Sequence, residues 1–118
     1  MRMNSEGLEL KFTKLDRRHR GHEQFSHYVT VVEKPTSKYY QPTKYSDAGF
    51  FALRQLCTET WGMSCERELY LQLFPKVAIG MSDVTLNHHW AWHTDLNNSQ
   101  YRIYLRSDEE RAWLLLKW

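Results

Sequence analysis

Histidine and arginine are the residues of this 118-residue chain best equipped for chemistry. The run Asn87-His88-His89-Trp90-Ala91-Trp92-His93-Thr94-Asp95 gathers three histidines, and His19-x-x-His22-Glu23 holds another pair. Imidazole binds metals and moves protons near neutral pH. Spacing argues against a shared ion in the first run. On an extended chain His89 and His93 share a face but stand about 13 Å apart at the usual strand rise, too far for one metal. In a loop, His19 and His22 offer ligands or a general base, the equipment of a small nuclease or hydrolase. No nucleophile elbow, phosphate-binding loop or H-E-x-x-H motif accompanies them. Five glycines leave little for a phosphate cradle. The expectation is a non-enzymatic chain without cofactor or metal.

A contact surface is the more physical candidate. Tyr101 to Arg106 alternates, with Arg102, Tyr104 and Arg106 opposing Tyr101, Ile103 and Leu105. If this run is a strand antiparallel to the histidine run, His89 and His93 stand beside Arg102, Tyr104 and Arg106. Arginine and aromatic side chains on an open sheet stack on bases and pair with phosphates, or concentrate binding energy at protein interfaces. Arg17, Arg18 and Arg20 extend the surface. The same residues serve equally as ordinary solvent-facing strand positions whose stems cover apolar neighbours. Residues 1–45 carry nine Lys+Arg and five Asp+Glu, a net +4, while residues 46–118 carry seven and nine, a net −2. The N-terminal part is therefore the footprint for an acidic partner. A total of +2 is low for a dedicated nucleic-acid domain, and there is no RNP-type aromatic motif. A protein partner leads, and nucleic acid on the same surface is the alternative.

The elements that must hold this surface follow from periodicity. Leu8, Leu10 and Phe12 alternate with Glu9, Lys11 and Thr13, and residues 25–33 are β-branched and aromatic, so a hairpin with the basic segment as its loop is expected. Residues 34–45, with two of the three prolines, read as an irregular connection in which Tyr39, Tyr40 and Tyr45 form either a lid or a contact strip. Over 46–61, Ser46 is an N-cap, Gly62 a C-terminal stop, and Phe50, Leu53, Leu56, Cys57 and Trp61 make one apolar stripe that omits Phe51. Residues 64–74 suggest a shorter helix capped by Ser64 and ending before Pro75, with strand as the alternative. The remainder reads as a meander of strands at 84–93, 101–106 and 112–118, with turns at 95–99 and 107–110. Cys57 and Cys65 read as free thiols, one packed on the helix and one near a turn. The order ββαβββ makes a single α+β domain over 1–118, a mainly antiparallel sheet on one main helix, its other face wet. Five tryptophans should be mostly core. A lone sheet edge also permits pairing with a second copy.

The segments at 11–31 (KFTKLDRRHRGHEQFSHYVTV) and 101–118 (YRIYLRSDEERAWLLLKW) resemble small accessory proteins of tailed bacteriophages. That resemblance implies binding of a host or viral macromolecule, as an inhibitor or modulator or as a virion component, and carries no catalytic residue. The absence of a long apolar run adds the expectation of a soluble, cytoplasmic protein without membrane contact.

Overall fold

A computed structural model describes residues 7–35, 39–40, 42–73 and 86–118. In chain order these form β1 (Leu8–Lys14), β2 (His27–Glu33), α1 (Asp47–Trp61), α2 (Arg67–Leu73), β3 (Trp90–Asp95), β4 (Gln100–Leu105) and α3 (Asp108–Lys117). The strands make one sheet in the order β1-β2-β4-β3, antiparallel at every pairing. The class is α+β, as the sequence indicates.

One sheet face is apolar because alternate residues on each strand point the same way. Val29, Val31, Ile103, Leu105 and Trp90 pack there against Phe50, Leu53, Leu56 and Cys57 of α1 and Leu114 of α3. The stripe predicted for the main helix is thus its buried face, each large side chain contributing about 1.5–3 kcal/mol by leaving water. Phe51, off the stripe, is half exposed. The Ser46 hydroxyl accepts from the Gly49 amide at 2.9 Å, and Gly62, at φ +93°, donates to the Thr58 carbonyl and ends the helix. Gly49 lets the helix approach β2: a Cβ there would collide with Val31 Cγ1 and lie 3.0 Å from Val31 Cβ.

The other face carries a second core, and here the expected wet surface fails. Helix α2 lies across β3 and β4, and Tyr70, Phe25, Leu86, Ala91 and Tyr104 form a buried cluster between helix and sheet. Among the described residues, the part of this face over β1, β2 and the start of β4 is left uncovered by α2. Within the segment 64–74 the helix α2 forms over Arg67–Leu73, Phe74 lies outside the described residues, and Ser64 does not cap the helix. Its hydroxyl donates to the Trp90 carbonyl, and the Glu66 carboxylate accepts the Glu68 amide at 2.7 Å.

Two strand assignments at the C-terminal end are corrected. Residues 112–118 belong to α3 instead of a last strand. Ser107 caps it, accepting from the Glu109 amide at 3.3 Å, and donates its hydroxyl to Glu110 at 2.6 Å. Asp108, Glu109 and Glu110 occupy the first turn and Lys117 the last, so charge complements the helix dipole at both ends. The histidine strand begins at Trp90, because Asn87 breaks it. The Asn87 amide donates to the carbonyls of Trp61 and Met63 at 2.9 and 3.1 Å, and its Oδ1 takes the His89 amide at 2.8 Å, so residues 88–89 bend. Val84, Thr85 and Pro75 lie outside the described residues. Of the five tryptophans, Trp90 alone is fully buried. Tyr39 and Tyr40 are 76% and 93% exposed and form no lid. Among the described residues no helix is long and apolar enough to cross a membrane.

Candidate functional site

The predicted site residues divide into three groups. Arg102, Tyr104, Arg106 and His93 meet on the second face as the register requires, with His93 opposite Arg102 and Ala91 opposite Tyr104. They do not form an open patch, since Tyr104 is only 1% exposed. Its hydroxyl accepts from Arg67 of α2 at 2.6 Å and from Arg102 at 3.5 Å. Arg106 donates to the Tyr70 hydroxyl at 3.2 Å, and that hydroxyl donates to the Asn87 carbonyl at 3.3 Å. Buried hydroxyls and guanidinium groups of this kind need such partners, because an unpaired buried donor costs about 1–3 kcal/mol. His93 is held through Nδ1 by Glu66. Tyr104, Arg106 and His93 thus bind the covering helix to the sheet.

His89 leaves this group. Because the chain bends at 88–89, its backbone sits beside Arg106, whose amide donates to the His89 carbonyl at 3.0 Å. The ring stacks instead on Trp61, at 5.5 Å between centroids, with Nδ1 3.6 Å from Glu110. That location is the junction of α1 and α3, on the opposite side of the sheet from His93.

The basic loop between β1 and β2 is ordered by its own residues. Asp16 accepts from the Arg18 amide at 2.9 Å and from the Arg18 guanidinium, and lies 3.1 Å from His19 Nδ1. The hydrogen bonds from Arg18 hold the Asp16 carboxyl well below the usual carboxylate range and raise Arg18 in turn. His22 Nδ1 contacts the His19 carbonyl, so both loop histidines are engaged with the loop itself. Arg20 reaches Glu68 of α2 at 2.7 Å. Burial of Glu68 works against its ionisation, but hydrogen bonds from Arg67 and Arg20 outweigh it and keep the carboxyl below its ordinary value. Arg17 is exposed.

Arg102 and the open half of the face give a concave site that alternation alone does not reveal. β2 pairs with β4 only over His27–Val29. Beyond Val29 its partner changes. The Val31 carbonyl accepts the Ser46 amide and the Glu33 amide donates to the Lys44 carbonyl, while β4 runs away toward the turn at 96–99. The gap is a cleft of about 260 Å³ whose lining includes Lys11, Thr30, Tyr45, Gln100, Tyr28 and Arg102. Among the described residues two cations and no carboxylate line it. The Arg102 guanidinium lies 4.1 Å from the Tyr28 ring centre, and His19 of the loop meets the same ring edge-on at 6.0 Å. Cleft and basic loop are therefore continuous through Tyr28.

Sequence reasoning missed Tyr28, Arg67, Glu66 and Glu68. The available signal was α2 itself, whose Arg67 and Tyr70 fall one turn apart and are both buried. One further set looks catalytic and is not. Ser26 Oγ and Asp108 both approach His27 at Nδ1, at 2.8 and 3.7 Å. Both contacts fall on one ring nitrogen, so the imidazole cannot pass a proton between them. Among the described residues no three His, Cys, Asp or Glu side chains gather as a metal site. No protein-family model, curated protein or solved structure matches the chain.

Proposed function

We propose that this chain is a small non-enzymatic interaction module that docks an acidic segment of a partner protein in the cleft between β2 and β4, with Arg17 and the rest of the basic loop as its flank. The carrying observation is the cleft's lining, in which, among the described residues, Lys11 and Arg102 stand with neutral hydrogen-bonding side chains and no carboxylate. A carboxylate entering there meets charge and donors at once, and Arg102 is already oriented by Tyr28. The exposed Tyr45 in the lining supplies an aromatic of the kind that protein interfaces favour. Nucleic acid is the weaker reading on one point. Arg102 covers the face of Tyr28, His19 meets its ring edge-on and Tyr104 packs tilted against it, so that ring is not offered to a base. The likeness to phage accessory proteins favours a host or viral machine as the partner.

The test is affinity capture from the native cell with wild type, Arg102→Glu and Arg17→Glu baits, followed by measurement of the captured protein in isolation. Arg102→Glu should weaken its binding about tenfold or more, as loss of a charge-assisted contact does. Labelled single-stranded oligonucleotides are titrated in parallel at two salt concentrations. Equal capture by wild type and Arg102→Glu overturns the cleft, and tight, steeply salt-dependent oligonucleotide binding assigns the surface to nucleic acid instead.

A further inference from the structure

The two edges of the sheet are treated differently. At β3, the Trp92 amide donates to the Cys65 carbonyl at 3.2 Å and Ser64 donates to the Trp90 carbonyl, so residues 64–66 cover that edge. At β1, no strand among the described residues covers the outer side of Leu8–Lys14. Which groups face outward follows from the register. The Lys34 amide donates to the Gly7 carbonyl and the Leu15 amide to the Ser26 carbonyl, so odd-numbered residues of β1 bond inward to β2. The backbone groups of Leu8, Leu10 and Phe12 therefore point to the open edge.

We infer that β1 pairs antiparallel with β1 of a second copy about a two-fold axis through Leu10, joining two four-stranded sheets into one of eight. The charges select this register. With Leu10 opposite Leu10, Leu8 faces Phe12 on the apolar side and Glu9 faces Lys11 on the polar side, twice by symmetry. Both pairs of opposite charge fall at non-hydrogen-bonded positions, where side chains are closest. The neighbouring two-fold registers fail. One sets Glu9 against Glu9, the other Lys11 against Lys11. Odd shifts place inward-bonding residues opposite outward ones and make no ladder. Glu9 and Lys11 are both exposed in the single chain, free to make these pairs.

The apolar side agrees. Leu8 and Leu10 are only half-buried and, with Leu115 and Trp118, line a cavity of about 310 Å³ at this same edge. Leu115 and Leu116 of α3 are 55% and 82% exposed. A second copy brings its own Leu8 and Phe12 to that cavity, and burying such a patch is the usual reason a bare hydrophobic edge is kept.

The experiment is sedimentation equilibrium on the full chain, for wild type, Glu9→Lys, Lys11→Glu and the double reversal, with thermal melts to confirm folding. Each single reversal turns both cross-strand pairs into like charges and should raise the dimer dissociation constant about ten- to a hundredfold. The double reversal restores opposite pairs and should recover wild-type association. Hydrogen exchange of the Leu10 amide should slow as concentration rises. A wild-type chain that stays monomeric at the highest concentration reached overturns the inference. So does a dimer indifferent to the single reversals, or one that the double reversal fails to rescue. Lys11 also lines the cleft, so self-association is decided on Glu9→Lys and the double reversal and cleft capture on Arg102→Glu, and failure of one leaves the other standing.

Discussion

Gly49→Ala probes the contact on which the architecture rests, the seating of α1 on β2. In an unobstructed helix the change stabilises by about 0.8–1 kcal/mol, because glycine has more freedom to lose. Here the new methyl would overlap Val31 Cγ1 and lie 3.0 Å from Val31 Cβ and 3.1 Å from Ser46 Oγ. Val31 is only 2% exposed and belongs to the main core, so it has little room to yield. Overpacking of this kind costs about 1–3 kcal/mol, leaving a net loss of up to about 2 kcal/mol and a fall in Tm of up to several degrees. The companion change Val31→Ala removes the colliding methyl at a cost of about 2 kcal/mol for the lost burial and the cavity. In that background Gly49→Ala should become neutral or stabilising. Denaturant melts of the four proteins form a double-mutant cycle with a favourable coupling of about 1 kcal/mol or more. Additive losses, or a Gly49→Ala that stabilises the wild type, would mean that α1 does not rest on β2 at this point.

Two further outcomes follow from the buried polar groups. Tyr104→Phe removes the hydroxyl that accepts from Arg67 and Arg102, and should cost about 1.5–3 kcal/mol in denaturant unfolding; a loss below about 0.5 kcal/mol would show that Glu68 alone satisfies Arg67. Burial pushes the His27 imidazole below its ordinary pKa, against the opposing pull of Asp108. The unfolded chain then takes up the proton first, so stability is complete above the ordinary histidine value and declines as pH falls through it. His27→Asn should flatten the fall in Tm between about pH 7.5 and about pH 5 relative to wild type, and identical slopes would refute it.

Much of the scaffold was legible because it is local. Alternation over residues 8–14, the cap at Ser46 and the stop at Gly62 each report on neighbours a few residues away, where period and capping chemistry act directly. At the helix over 108–117 two local patterns compete. Ser107 with Glu110 three positions on is an N-terminal signature, but the apolar run at 113–116 looks like a buried strand when periodicity alone is weighed. The break at Asn87 was not legible, since it depends on carbonyls at 61–63 more than twenty residues away.

The sequence by itself determined which residues alternate, where α1 starts and stops, and that a basic loop joins two strands, because those are properties of adjacent side chains and backbone. Only the tertiary structure decided which half of the second face stays open. Helix α2 buries Tyr104 and draws in Arg67, while β2 exchanges β4 for the segment at 44–46 and opens the cleft around Arg102 and Tyr28. Both depend on contacts between elements far apart along the chain, and no local pattern encodes which of two amphipathic surfaces will cover the other.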